Sequence, residues 1–351
     1  MQSLHELCVR AQADACLITH LPNVRYLCGF TGSSAVLLTD KSPVLFTDGR
    51  YDVQARRETS GVRIVICRGS LWKSVSECVA RQKQRRLAVE SNAMSVATYR
   101  TLEGLLGTSV ALQDAAMAVE QLRCVKDAEE IERIAAAVRL GDKLLAPLLR
   151  SLRPGAKEAE AAARLEFNAR KAGAEGMSFE TILAGGARSA MPHAHASSEP
   201  LPRRGFVVMD YGVRLDGYCS DMTRTVHLGK ATAGEKDAYS AVLEAQLAAM
   251  DAIRPGATAG EVDQAARDAL RRHKLARYFT HVTGHGVGLE IHEAPRIAAK
   301  QPLVLQPGMV ITIEPGIYLP DRYGIRIEDM AVVTDTGARA LTTARKALLE
   351  L

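Results

Sequence analysis

The sequence predicts an α/β (α+β) protein with two domains, residues 1–122 and 123–351, the second built from two similar halves. Three observations predict this organisation. Short apolar strands alternate with helical stretches as far as residue 122, a long amphipathic helix follows, and one pattern then occurs twice. With 351 residues, of which 47% are hydrophobic, the chain is long enough to form two cores.

The first domain is predicted from five apolar segments of strand length. They are "ACLITH", "SAVLLTD", "PVLFTD", "RIVIC" and "RLAVE", and turns or helices such as "LWKSVSECVARQ" separate them. The segment "RYLCGFTGSS" contains glycines but lacks the lysine of a phosphate-binding loop, and we interpret it as a strand–turn–strand connection. Because no recognisable site chemistry gathers in this domain, the function is expected to lie in the second.

The boundary between the domains is predicted just before the segment "VKDAEEIERIAAAVRLGDKLLAPLL". Its spacing is typical of a long amphipathic helix. Asp127 and Glu130 can act as the cap of this helix and as its capping partner.

Two passages of the second domain resemble each other. Each is an Arg-Pro-Gly-Ala turn that leads into an alanine-rich helix: "LRPGAKEAEAAARLEFNARKAG" and "IRPGATAGEVDQAARDALRRHK". The corresponding prolines, Pro154 and Pro255, are 101 residues apart, and acids at strand ends recur after 104 and 107 residues. This shared order indicates duplication and predicts a pseudo-twofold domain with one acidic hairpin from each half.

The two hairpins carry four acids: Asp210, Asp221, Glu314 and Glu328. In each hairpin an apolar strand reaches one acid, a turn follows, and a returning strand carries the second acid. Burying four like charges close together is very costly unless cations neutralise them. The pattern therefore predicts a site for more than one divalent metal ion.

An alternative interpretation needs no metal. Each acid could face water at a strand end or pair with Arg214, Arg224 or Arg326. For a single acid this alternative is favoured, but four acids in symmetric positions favour the metal site.

Histidines gather in the segment "FTHVTGHGVGLEIHEAP", which contains His281, His285 and His292. Glycines on both sides of His285 permit the close backbone approach that a metal ligand in a tight turn requires. The nucleotide-binding pattern GxGxxG fails here, because Leu289 stands where its last glycine is needed. A further pair, His193 and His195, lies in the loop-like segment "SAMPHAHASSEP".

Composition excludes several classes of function. The net charge is only +5, and the basic run "RQKQRR" has no interleaved aromatic residues, so nucleic-acid binding is not expected. No signal peptide and no apolar run of about 18 residues is found, which predicts a cytoplasmic protein without membrane contact. Seven cysteines without a CxxC pair indicate reduced thiols.

With these residues the sequence resembles the pita-bread metallopeptidases, in the branch that contains aminopeptidase P and prolidase. The resemblance covers nearly the whole chain. It includes the creatinase-like segments "NVRYLCGFTGS" and "FTDGRYDVQA", and the catalytic segments "SAMPHA", "MDYG", "SDMTRT", "TGHGVGLEIHE", "IEPGIY" and "GIRIED". It implies a creatinase-like α/β domain followed by a pita-bread catalytic domain.

The resemblance also implies a ligand set for two divalent ions per chain: Asp210, Asp221, His285, Glu314 and Glu328. Asp221 and Glu328 are expected to bridge both ions, with Asp210 on one ion and with His285 and Glu314 on the other. This hard, oxygen-rich set favours Mn²⁺, and Co²⁺ and Zn²⁺ are the alternatives.

The remaining site residues are carried over in the same way. His193 matches the catalytic histidine, His281 and His292 match histidines of the substrate pocket, and Arg326 matches the arginine beside the bridging acid Glu328. His195 departs from the proline-and-serine continuation expected after "PHA", and it receives no role.

The implied reaction is release of the first residue from peptides with proline in second position, by an Xaa-Pro aminopeptidase. A hydroxide that bridges the two ions attacks the scissile carbonyl, His193 and His292 stabilise the tetrahedral intermediate, and Glu314 carries the proton to the prolyl nitrogen.

Several alternatives accompany this expectation. Prolidase, which takes Xaa-Pro dipeptides only, differs in having a loop or a carboxylate-binding arginine that closes the pocket beyond proline. Methionine aminopeptidase lacks a first domain of this kind, and a creatine-type amidinohydrolase lacks the metals. A non-catalytic peptide-binding module would lack ligands, and none is missing here. A homodimer is expected as well.

Overall fold

The structure is a computed structural model that describes residues 4–39, 42–115 and 117–351. Contacts divide the chain into two compact units, Met1–Arg123 and Cys124–Leu351. Each unit has its own apolar core.

The first unit is built on one mixed six-stranded sheet in the order β4-β3-β2-β1-β5-β6. Its strands are β1 (Ala15–Ile18), β2 (Ala35–Thr39), β3 (Val44–Asp48), β4 (Arg63–Cys67), β5 (Arg86–Val89) and β6 (Ala111–Asp114). β2 is antiparallel to both of its neighbours, and the other three pairs are parallel. The five predicted apolar segments are therefore strands β1 to β5.

Helices cover both faces of this sheet. They are α1 (Leu4–Arg10), α2 (Leu21–Cys28), α3 (Asp52–Glu58), α4 (Leu71–Arg81), α5 (Val96–Leu106) and α6 (Ala118–Cys124). Alternate strand residues enter two separate core clusters, so that Ile18 packs with α2 and α3 while Leu17 packs with α4 and α5. The result is a three-layer α/β unit.

The segment "RYLCGFTGSS" is not the strand–turn–strand connection expected from its sequence. Its first residues belong to helix α2, which has proline in its first turn, and the chain then runs as a loop to β2. Gly29 ends the helix in the left-handed conformation, with φ of 83°, and its N–H donates to the Arg25 carbonyl. Proline at the start and glycine just after the end are typical of a helix, and here they outweigh the strand-forming residues between them.

The second unit opens with the predicted long helix. The helices of this unit are α7 (Ala128–Ser151), α8 (Glu158–Lys171), α9 (Ala233–Ala252) and α10 (Ala259–Arg272). Asp127 caps α7, and the reciprocal capping box with Glu130 is present as predicted. Helices α7 and α8 pack in one core cluster, and α9 and α10 pack in another.

Thirteen strands follow among the described residues: β7 (Gly176–Met177), β8 (Ile182–Gly185), β9 (Gly205–Tyr211), β10 (Val213–Leu215), β11 (Tyr218–Cys219), β12 (Met222–Leu228), β13 (Gly284–Gly286), β14 (Glu293–Ile297), β15 (Val310–Ile313), β16 (Gly316–Leu319), β17 (Tyr323–Arg326), β18 (Asp329–Val333) and β19 (Ala338–Ala340). They form four sheets, ordered β11-β10-β7, β12-β9-β8, β14-β13-β15-β18-β19 and β16-β17.

The two halves of this unit share one plan, as the sequence predicts. In each half a helix pair precedes a long antiparallel pair, β9 with β12 in the first and β15 with β18 in the second. The glycines of the two Arg-Pro-Gly-Ala turns have nearly equal φ angles, 82° at Gly155 and 85° at Gly256. Where the sequence predicts a single turn between the paired strands, each half has a short extra hairpin, β10–β11 or β16–β17.

None of the helices that the structure describes is both long and apolar enough to cross a membrane.

Candidate metal centre

The four acids of the two hairpins line one cavity of about 560 Å³ in the second unit. Asp210 lies in β9, opposite Thr223 of β12, and Glu314 directly follows β15. Asp221 and Glu328 occupy equivalent places, each immediately before a returning strand. The duplicated topology therefore brings carboxylates that are about a hundred residues apart in sequence to one place.

His285 enters this cavity from β13, which lies against β15. A Cβ atom on Gly284 would lie 1.9 Å from the Thr312 carbonyl oxygen, and one on Gly286 would lie 2.1 Å from the Ala294 carbonyl oxygen. Only glycine permits such approaches. The structure thus shows the close backbone contact predicted on both sides of His285, although His285 lies in strand β13 and not in the tight turn that was expected.

The ring of His285 is oriented for binding a cation. Its Nδ1 lies 3.0 Å from the Gly286 carbonyl oxygen, which can only accept, so Nδ1 carries the proton and Nε2 has the free lone pair. Nε2 lies 3.6 Å from Asp221 Oδ2 and 3.5 Å from Glu314 Oε1. Burial lowers the pKa of His285 to about 4, which keeps the ring neutral at neutral pH.

The donor set fits divalent metal ions. Ligand atoms of Asp221, His285 and Glu328 all lie within 4.8 Å of one another. Oδ1 of Asp210 and Oδ1 of Asp221 are buried and have no hydrogen-bond partner. Buried polar atoms are rarely left without a partner, and two such oxygens in one acidic cluster are explained by cations that complete their coordination.

Repulsion among the four carboxylates shifts their pKa values in the metal-free site. Burial, then Glu328, Asp210 and Glu314, raise the pKa of Asp221 well above its usual value. Burial and Glu314 do the same to Glu328. Burial also raises the pKa of Glu314 to about 8, against the opposing effect of Arg326. One guanidinium therefore does not compensate four carboxylates.

A fall in stability with rising pH is expected for the metal-free protein. Between the ordinary glutamate value of 4.5 and about 8, the folded state keeps a proton on Glu314 that the unfolded chain has lost. Because the folded state binds more protons in this window, the free energy of unfolding decreases as the pH rises. Urea unfolding of the chelator-treated protein at several pH values measures this decrease.

The control is Glu314→Gln, which keeps the shape of the side chain without its titration. Its free energy of unfolding should decrease less steeply over the same pH window than that of the wild type. Equal slopes for the two proteins would mean that Glu314 has no raised pKa.

Arg326 lies deep in the site and pairs with an acid other than the one expected. Its Nη2 lies 2.5 Å from Asp210 Oδ2. Its contact with Glu328 is indirect and runs through Thr223. The Thr223 hydroxyl accepts from Arg326 Nε at 3.0 Å and donates to Glu328 Oε2 at 2.8 Å. Although burial disfavours its charge, Tyr318 and the site carboxylates hold the pKa of Arg326 well above its usual range. The alternative of an arginine partner thus holds for Asp210 alone among the four acids.

His281 lines the cavity within a continuous chain of hydrogen bonds. Arg326 Nη1 donates to the Tyr318 hydroxyl at 2.8 Å, this hydroxyl lies 2.8 Å from His281 Nε2, and His281 Nδ1 lies 2.8 Å from the Val282 carbonyl oxygen. Burial lowers the pKa of His281 to about 4, so the ring is neutral. Both ring nitrogens are therefore engaged within the protein.

The other histidines also border the cavity. The His292 ring lies 4.4 Å from that of His285, centroid to centroid, and burial together with His193 lowers the pKa of His292. His193 is exposed. His195 is exposed as well, and its Nδ1 lies 2.7 Å from Glu180 Oε1.

The residues at the site that were not predicted include Thr223, Tyr318 and Arg296. Thr223 could have been found, because it lies two positions after Asp221 and strand residues alternate between faces. Tyr318 could have been found from the β16–β17 hairpin, in which Gly316 pairs with Arg326. Arg296, opposite His285 in the β13–β14 pair, carries no such signal, because the register of this pair shifts after His285.

Comparison with known proteins gives full-length matches. The model of metallopeptidase family M24 matches residues 132–335, and that of the creatinase/prolidase N-terminal domain matches residues 1–125. An Xaa-Pro dipeptidase from Pyrococcus horikoshii is 35% identical over 341 residues, 96% of this chain and 94% of the relative.

Solved structures agree. The chain matches an Xaa-Pro dipeptidase from Bacillus anthracis with a TM-score of 0.96 and 37% identity, over 99% of this chain and 98% of the other. It matches an X-Pro aminopeptidase from Thermotoga maritima with a TM-score of 0.92 and 34% identity, over 99% and 100% of the two chains.

Proposed function

The chain belongs to metallopeptidase family M24, and from this membership we propose that it is an Xaa-Pro dipeptidase, that is, a prolidase. As a metallo-exopeptidase it acts on peptides. The choice between dipeptidase and aminopeptidase depends on whether its substrates are dipeptides or longer peptides. Relatives with this name match nearly the whole chain in sequence and in structure, which favours the dipeptidase over the aminopeptidase expected from the sequence.

Arg296 is the observation that carries the proposal. It lines the cavity and is exposed, and it makes no ion pair or hydrogen bond within the described part of the chain. It lies directly opposite His285 in the β13–β14 pair, where side chains of paired residues share a face. In an Xaa-Pro dipeptide the carboxylate is on the proline itself, one residue beyond the scissile bond. A free guanidinium beside the metal centre is suited to bind that carboxylate.

The metal centre has a defined set of proposed ligands: Asp210, Asp221, His285, Glu314 and Glu328. When bound, divalent ions supply an activated water and polarise the scissile carbonyl. Arg326 holds Asp210 through one carboxylate oxygen and leaves the other free. Through Thr223 it also orients Glu328.

Other residues of the cavity are proposed to act on the substrate. The neutral ring of His292 can donate an N–H to the oxyanion that develops at the carbonyl, and His193 is assigned the same task. Glu314 is proposed to take a proton at its carboxylate and pass it to the leaving prolyl nitrogen, which has no N–H of its own in the peptide.

The substrate class is tested with four peptides on the Mn²⁺-supplemented protein, with products measured by mass spectrometry. We expect hydrolysis of Ala-Pro, little hydrolysis of Ala-Pro-Ala or of Ala-Pro amide, and none of Ala-Ala-Ala. Cleavage of Ala-Pro-Ala at a rate equal to that of Ala-Pro would overturn the dipeptidase assignment in favour of an aminopeptidase.

Arg296→Gln is expected to raise KM for Ala-Pro about 10-fold or more, since a charge-assisted hydrogen bond contributes about 1.5–3 kcal/mol. Ala-Pro amide, which has no carboxylate, serves as the internal control, and its weak turnover should not change. Steady-state kinetics on both substrates measure the difference. An equal effect on both would assign Arg296 to folding rather than to carboxylate binding.

The second candidate is an Xaa-Pro aminopeptidase, favoured by the match to the structure of that name from Thermotoga maritima.

The metal content and the oligomeric state remain predictions. Metal analysis of the purified protein checks for two Mn²⁺ ions per chain, and light scattering checks for the homodimer. The cytoplasmic location also remains a prediction.

A further inference from the structure

The ring of His193 is not held by the protein around it. It makes no hydrogen bond and no ion pair with any residue that the structure describes, and it is exposed at the cavity. Since fixed geometry is needed for a group that stabilises a transition state, the backbone of its own segment, residues 185–197, must set the position of the ring.

One buried carboxylate holds this segment at both ends. Glu158, the first residue of α8, has a side chain that is 1% exposed. It accepts hydrogen bonds from Gly185 N at 2.9 Å, from Ser197 N at 3.1 Å and from Ser197 Oγ at 2.7 Å. Gly185 precedes His193 and Ser197 follows it, so the carboxylate closes the segment into a loop.

Arg188 extends this hold toward the middle of the segment. Its Nε lies 3.0 Å from Glu158 Oε2, and its Nη2 donates to the His195 carbonyl at 2.7 Å. From the metal centre, Arg326 Nη1 donates to the Pro192 carbonyl at 3.0 Å. The backbone on either side of His193 is thereby fixed by the Glu158–Arg188 pair and by Arg326.

We propose that Glu158 is a positioning residue for His193, which keeps the ring directed at the metal centre through residues 185–197. The chemistry requires a carboxylate, because every group around Glu158 is a donor. Glutamine at this position would turn an NH₂ group toward at least one of these donors and leave it unpaired. The inference rests on the proposed peptidase function, in which His193 contacts the substrate.

Glu158→Gln is the direct test. We expect kcat on Ala-Pro to fall about 10-fold, the lower range for loss of a residue that orients a catalytic group, while KM and metal content stay near wild type. The matched control is Asp142→Asn. Asp142 likewise accepts from two backbone N–H groups and a hydroxyl, those of Thr343 and Ala344, which do not line the cavity.

A double-mutant cycle distinguishes a role of Glu158 in positioning His193 from a general effect of the substitution on the structure. In a His193→Ala background, Glu158→Gln should lower kcat no further, because the residue through which it acts is absent. An undiminished effect in that background would overturn the inference, as would wild-type kcat in Glu158→Gln itself. If Glu158→Gln does not fold, Arg188→Gln takes its place in the same cycle, since this side chain is 30% exposed and better tolerated.

Hydrogen exchange supplies a readout that does not depend on activity. In Glu158→Gln, the backbone amides of residues 186–197 should exchange faster than in the wild type, while those in the remainder of the second unit stay protected. Unchanged protection there would overturn the inference even if the wild type cleaves no Xaa-Pro peptide. Inactive wild type combined with lost protection would refute the proposed function and leave Glu158 as the residue that holds the segment.

Discussion

Asp221→Asn is expected to give a folded protein that binds fewer than two divalent ions and scarcely hydrolyses Ala-Pro. Asp221 is 5% exposed, and one of its oxygens has no partner in the protein. In the metal-loaded protein, this substitution removes a charged partner of the buried ions, a loss of about 3–5 kcal/mol that corresponds to about 10²–10³-fold or more in kcat/KM. Metal analysis after dialysis and steady-state kinetics measure the two losses.

Asp216→Asn is the matched control for this prediction. Asp216 lies in the turn between β10 and β11 of the same half, is exposed, and has a φ of 48°, a conformation that asparagine adopts readily. It should retain metal and activity. If Asp221→Asn also retained two ions and full activity, the ligand assignment would be wrong.

The metal-free forms give an independent check on Asp221. Because burial and the neighbouring carboxylates raise the pKa of Asp221, its ionised form opposes folding at neutral pH. Metal-free Asp221→Asn should therefore unfold at higher urea concentration than the metal-free wild type. Lower stability in this comparison would mean that Asp221 is paired in a way the structure does not show.

His193→Ala is expected to leave two ions bound and to reduce kcat by about 10²-fold, the usual cost of removing one group that stabilises an oxyanion. KM should change little, because the interaction strengthens only in the transition state. Metal content, kcat and KM for Ala-Pro together distinguish this outcome from loss of the metal centre.

His195→Ala is the control from the same segment. His195 is exposed, pairs with Glu180 at the surface, and has no assigned role. Its replacement should leave kcat unchanged. Equal losses in the two variants, or none in His193→Ala, would refute the role of His193.

Local signals in the sequence predicted much of the fold. The capping box at Asp127 and Glu130, the strand alternation of the first unit and the two Arg-Pro-Gly-Ala turns depend on residues close in sequence, and each has the expected structure. The interpretation of "RYLCGFTGSS" failed because its strand-forming residues were given more weight than the proline and glycine that bound helix α2.

The contacts inside the cavity were less predictable than its composition. The duplicated order of the acids predicted that Asp210, Asp221, Glu314 and Glu328 lie close together, and all four line one cavity. Their clustering could be predicted because it depends only on the topology of the two halves. Which acid Arg326 contacts depends instead on side-chain direction within β17, and its partner is Asp210. Glu158 was overlooked because its four donor groups belong to residues 27 to 39 positions later in the chain.

The pseudo-twofold plan also makes the metal ions part of the architecture. Asp210 and Asp221 belong to one half of the second unit, while His285, Glu314 and Glu328 belong to the other. An ion held by Asp221 and Glu328 would be a cross-link that closes a chain of 107 residues, as a disulfide does. Opening of either half would release it, so the loaded protein should unfold its two halves in a single step.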